Sequence, residues 1–163
     1  MKVGKVARLV VCGLVIFFLA ACGAKSPEDL EKNVLKDSYT GYSQESGYEG
    51  LDFRAGGDTL TFDKSKKLIK NSHGEEIKYG VVPDDQVKKI PSKYRGALVD
   101  LEKELKETDN FTIAVGDSAD TPEKAGAYYQ VALQNGGKNI RVIELRRGYK
   151  YENAYYDFSG VAD

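Results

Sequence analysis

The chain has no tryptophan, one histidine, one methionine, two cysteines and four prolines in 163 residues. Each scarcity closes a route. The single histidine, His73, cannot supply the several His or Cys ligands of a usual zinc site. It would also have to be the base of any Ser-His-Asp triad, and no Gly-x-Ser-x-Gly elbow accompanies it. Within Ser72-His73-Gly74-Glu75-Glu76 it reads as a solvated turn residue. Charge of one sign is lacking too: 24 Lys and Arg stand against 25 Asp and Glu. A nucleic-acid partner, which calls for a basic excess, is therefore not expected. Gly56-Gly57 and Gly136-Gly137 lie between strand-like stretches and open no helix, so no phosphate loop and no cofactor is expected. The longest apolar run, Leu9 to Ala21, has 13 residues, short of the roughly 20 that cross a bilayer as a helix.

That run has another use. Lys2, Lys5 and Arg8 precede it as a positive segment, and the small residues Ala20 and Ala21 lead from it to Cys22. Positive start, short apolar middle and small residues describe a secretory leader. Leu19-Ala20-Ala21-Cys22-Gly23 resembles the lipobox of bacterial lipoproteins, and the chain is similar to small Gram-positive surface lipoproteins. The resemblance implies a cleaved signal peptide over 1–21, a diacylglyceryl group on the Cys22 thiol, and a mature protein held on the extracytoplasmic face of the cell membrane. Two acyl chains give stable anchoring where one does not. Cys12 would leave with the leader, so the mature body would hold no disulfide and depend on its core alone. Losing Lys2, Lys5 and Arg8 would leave 21 cations against 25 acids, a net charge of −4.

Ser26-Pro27-Glu28-Asp29 carries the marks of a helix start: a capping serine, proline at the first position, then acids. Leu30 and Val34 share a face. Residues 22–38 are thus expected to be the lipidated cysteine plus a short helix or a polar tether, with one β-rich domain over 39–163. From Tyr39 the period is two. Tyr48 to Arg54, Thr59 to Asp63, Lys67 to Asn71 and Ile77 to Val81 alternate, with Gly56-Gly57-Asp58 and His73-Gly74 as turns. Tyr94, Leu98, Leu101 and Leu105 then form one stripe of a helix over about 92–108. Strand period returns in Phe111 to Val115, Ala127 to Leu133, Ile140 to Arg147 and Tyr149 to Phe158, and Thr121-Pro122-Glu123 reads as one helical turn. About eight antiparallel strands with one main helix make a mainly β fold, all-β or α+β, either a small barrel or a curved meander sheet. Tyr39-Thr40-Gly41-Tyr42 resembles the first strand of lipocalin-like barrels, although Tyr stands where that family carries Trp.

No catalytic residue stands out, and the protein is read as a non-enzyme. Asp84-Asp85 and Glu75-Glu76 flank turns, where acids serve local hydrogen bonding. An envelope hydrolase would need two carboxylates facing across a cleft. Asp117 to Glu123 lacks the register of a calcium hand, so no metal is expected. Tyr149, Tyr151, Tyr155 and Tyr156, beside Arg146, Arg147 and Lys150, are the most distinctive cluster and the expected binding surface for an unknown envelope ligand or protein. The rival expectation is a carrier holding a small apolar ligand in a barrel cavity.

Overall fold

The structure is a computed structural model that describes residues 25–43, 52–146 and 155–163. Eight strands run in order as an antiparallel meander: β1 (Ser38–Ser43), β2 (Gly56–Asp63), β3 (Leu68–Lys70), β4 (Glu76–Val82), β5 (Asp109–Val115), β6 (Ala127–Gln134), β7 (Asn139–Glu144) and β8 (Asp157–Ala162). The last pairs with the first, from Tyr39 opposite Ala162 to Ser43 opposite Phe158, and the sheet closes into a barrel. Closure leaves no free strand edge.

Alternation sorts the side chains. Tyr39, Leu60, Phe62, Ile69, Tyr79, Ile113, Tyr129, Val131, Val142 and Phe158 are buried in one cluster, the barrel interior. An eight-stranded barrel is narrow enough for side chains to fill. The barrel tightens most at the β1–β8 seam, where Gly41 faces Gly160. A methyl on Gly41 would stand 2.1 Å from the Ser159 carbonyl, and one on Gly160 would stand 2.7 Å from the Phe158 ring. Two glycines let the strands and the Phe158 ring come together.

Among the described residues, two α-helices complete the fold. α1 (Pro27–Asn33) starts as its sequence indicates, with Ser26 Oγ accepting from Asp29 N at 3.1 Å. Leu30, Val34 and Leu35 join the interior cluster, so α1 is part of the barrel body rather than a tether. α2 (Ser92–Leu105), preceded by a 3-10 turn over Asp84–Lys89, lies on the outer wall. Ala97, Leu101 and Leu105 form a second cluster with Ala114, Tyr128, Ala132 and Ile143. This explains why β6 is buried along both faces: Tyr129, Val131 and Leu133 point inward, and Tyr128, Gln130 and Ala132 lie under α2.

Four expectations are corrected. Gly56-Gly57-Asp58 opens β2 instead of turning, because the three pair with Ser43, Tyr42 and Gly41 of β1 and Asp58 is buried on the face shared with Leu60 and Phe62. Of the last strand expected over Tyr149 to Phe158, residues 149–154 lie outside the described residues, and the described strand, Asp157–Ala162, runs on past Phe158, with Gly160 in close approach to Gly41. Thr121-Pro122-Glu123 forms hydrogen-bonded turns (Thr121 N to Ser118 O, Lys124 N to Thr121 O), not a helical turn. Of the strand expected over Tyr48 to Arg54, residues 48–51 lie outside the described residues, and the first strand is Ser38–Ser43.

Candidate functional site

α2 packs over β5, β6 and β7, and no helix among the described residues covers the outer wall of β8, β1 and β2. The outward positions there are Thr40 and Tyr42 on β1, Thr59 and Thr61 on β2, and Ser159 and Val161 on β8. None of these six carries a charge, although the same outward series also holds Asp63 at the end of β2 and Asp157 at the start of β8. Tyr42 is 55% exposed and Val161 57%. Tyr42 stands opposite Gly57, where an added methyl would make only an ordinary contact with the ring, 3.8 Å from Cδ2. Thr40 and Thr59 share a hydroxyl–hydroxyl hydrogen bond of 2.9 Å. One exposed ring and one exposed valine beside small hydroxyl residues offer both apolar and hydrogen-bonding surface.

Where this wall meets the end of α2, a groove of about 410 Å³ opens between Tyr42, Glu104, Thr108, Gln134, Asn139 and Arg141. Arg141 is its hub. Its Nε and Nη2 donate to the two Asp157 oxygens at 2.7 and 2.6 Å, and Nη1 donates to Glu104 on α2. The paired carboxylates, Asp157 first, hold the guanidinium even above its usual high value. Such a fork is planar and bidentate, and it fixes α2 against β7 and β8. The groove holds amides, hydroxyls and a satisfied ion triad, but no nucleophile beside a base.

The far end of the barrel holds a stack of rings. Phe53 lies 4.9 Å from Tyr156 in parallel and 5.0 Å from Tyr129 edge-on, and Tyr156 stacks on Phe158 at 6.2 Å. Asp52 stands beside them with Oδ2 3.5 Å from the Tyr129 hydroxyl, and burial pushes its carboxyl above the usual carboxylate range. Asp58 Oδ1 accepts from Thr59 N, Ser72 N and Ser72 Oγ at 2.7–2.8 Å, while its Oδ2 is buried without a partner. Ser72 thereby fastens the 71–75 loop to β2.

The residues expected to form a tyrosine surface separate. Tyr156 is fully buried in the ring stack and belongs to the core, a correction to its expected place on a surface. Tyr155 is half-buried against the α2 cluster. Tyr149 and Tyr151 lie outside the described residues, as does Cys22, the expected lipidation site. The ring period in Tyr155-Tyr156-Asp157-Phe158 places every second residue inward, and that parity is the signal that identifies Tyr156 as core. The groove residues Tyr42 and Arg141 were not anticipated, since only barrel closure brings them near each other.

The acids fare individually. Glu75 pairs with Arg54 at 2.5 Å and its carboxyl is held low by Asn71 and then Arg54; Glu76 pairs with Lys70 at 2.5 Å. Asp84 and Asp85 are exposed in the 3-10 turn, and Asp120 pairs with Lys78 at 2.9 Å. His73 is exposed in its turn. Among the described residues no group of three or more His, Cys, Asp or Glu is placed to hold a metal ion, and no helix is long and apolar enough to cross a membrane. The fold is thus an eight-stranded up-and-down barrel with an external helix. No family model, no curated protein and no solved structure matches the chain.

Proposed function

We propose that this chain is a bacterial lipoprotein: a non-enzymatic binding module, fixed to the extracytoplasmic face of the cell membrane through Cys22, that recognises an envelope ligand or protein. The observation that carries the reading is a join. The lipobox Leu19-Ala20-Ala21-Cys22 is followed after only four residues by a helix whose apolar face is built into the barrel. The outer wall around Tyr42 and Val161, with the Arg141 groove beside it, is the recognition surface favoured here. A carrier function is less well supported, because inward positions are taken by large side chains such as Tyr39, Phe62, Tyr79, Tyr129 and Phe158, and the described grooves lie on the outer wall.

Cys22→Ala tests the anchor. The unsubstituted protein is expected in the membrane fraction and to take up labelled palmitate; the variant is expected to lose the label and to leave that fraction or accumulate with its leader uncleaved. Palmitate labelling unchanged by the substitution would contradict the proposal.

A further inference from the structure

The position of α1 has a geometric consequence for a lipid-anchored protein. The strand ends at Ser38, Asp63, Leu68, Gln134, Asn139 and Ala162 mark one end of the barrel, here the base. α1 is held there from several sides. Glu31 receives Lys67 Nζ at 2.5 Å on both oxygens and the Tyr79 hydroxyl at 2.6 Å. Lys64 Nζ donates to the Leu35 carbonyl at 2.8 Å and pairs with Asp37 at 2.9 Å. Tyr39 accepts from Lys36 N and donates to the Gly137 carbonyl, both at 2.8 Å. Gly137 lies so close to α1 that a methyl on it would stand 2.0 Å from the Val34 carbonyl. Even Lys25, the first described residue, pairs with Asp109 at 3.0 Å. The chain is committed to the base from Lys25 onward.

Cys22 is three residues before Lys25. Three residues reach at most about 10 Å. Strands of about seven residues, tilted as in barrels of this size, separate base from far end by roughly 17 Å before loops are added. The anchor therefore cannot reach past the base, and no flexible stalk lies between lipid and fold. We infer that the barrel docks base-down on the lipid surface, with α1 and the Asp63–Leu68 and Gln134–Asn139 connections at the headgroups and the 71–75 and 116–126 loops facing away from the membrane. This inference rests on the lipid-anchor reading and adds an orientation to it.

The orientation is measurable because lipidated Cys22 would leave no other thiol in the mature chain. Full-length protein carrying Ser65→Cys at the base, or His73→Cys or Lys124→Cys at the far end, is purified in lipidated form. Each is labelled with a fluorophore and placed in phosphatidylglycerol–phosphatidylcholine vesicles containing headgroup-quencher lipid. Quenching at position 65 is expected to exceed that at 73 and 124 several-fold. Twenty Gly/Ser residues inserted after Gly23 would give a coil of about 25 Å r.m.s. length, and the contrast should then collapse. Equal or inverted quenching in vesicle-bound protein would overturn the orientation while leaving the anchor intact. Failure of the protein to float with vesicles would remove the anchor, and the orientation with it.

Discussion

Replacing Gly41 by alanine should open the barrel at its seam. The added methyl would meet the Ser159 carbonyl at 2.1 Å, the Gly160 Cα at 2.5 Å and the Phe158 ring at 2.7 Å. Carbon atoms rest about 3.5–4.0 Å apart, so β1 and β8 must separate by an ångström or more. The first two neighbours are backbone and cannot rotate away. Overpacking of this kind costs about 1–3 kcal/mol. Lost seam hydrogen bonds, about 1 kcal/mol each, raise the expected destabilisation to roughly 3–5 kcal/mol. With a urea m-value of about 2 kcal/mol/M, the midpoint should fall by about 2 M. Gly57→Ala is the matched control, because its methyl would meet nothing nearer than Tyr42 Cδ2 at 3.8 Å. That variant should be neutral or gain a few tenths of a kcal/mol from a stiffer unfolded chain. Urea unfolding of the leaderless domain, followed by circular dichroism, reads both. A Gly41→Ala midpoint within 0.3 M of the parent would refute the Gly41–Gly160 register and with it the closed barrel.

Other consequences follow from the same contacts. Leu101→Ala, beneath α2, should cost about 2–5 kcal/mol, whereas Val99→Asp, 70% exposed on the same helix, should leave the midpoint unchanged; equal effects would mean α2 is not docked as described. Asp58→Ala should destabilise by about 1–3 kcal/mol by orphaning Ser72 N and Thr59 N, and Asp58→Asn, which keeps an acceptor at Oδ1, should cost clearly less. The hydroxyls of Tyr39, Tyr79 and Tyr128 are raised above the ordinary tyrosine value by burial, aided at Tyr79 by Glu31. Folding therefore favours their protonated forms, a stability fully present below the unfolded-state value near pH 10 and lost as pH rises above it. Urea midpoints measured from pH 8 to 11.5 should fall from about pH 10 upward, and less steeply in Tyr128→Phe; identical slopes would contradict this.

Strand period and helix stripe were readable locally because each depends on neighbours in sequence. Leu60 and Phe62, Phe111 to Val115, and the Tyr94–Leu98–Leu101–Leu105 stripe all sit where alternation or helical spacing puts them. The glycines misled for a physical reason. Gly56 and Gly160 lower strand propensity on a local count, yet their value lies in an unusual φ and a close seam, which only distant strands define. Tyrosine misled for the opposite reason. Its β preference is the same whether the ring faces in or out, so Tyr156 in the core and Tyr42 on the wall look alike until register is known. The Arg141–Asp157–Glu104 triad joins three elements and has no sequence spacing to betray it. The proposed anchor rests on a different kind of signal, the stretch Leu19-Ala20-Ala21-Cys22, which is read from the sequence without any fold.

The central functional claim is a lipid on one sulfur, and the mass of the membrane-extracted protein tests it most directly. The account predicts a chain that begins at Cys22, carries a diacylglyceryl group and resists maleimide. A chain that retains residues 1–21 with an unmodified, maleimide-reactive Cys22 thiol would contradict it.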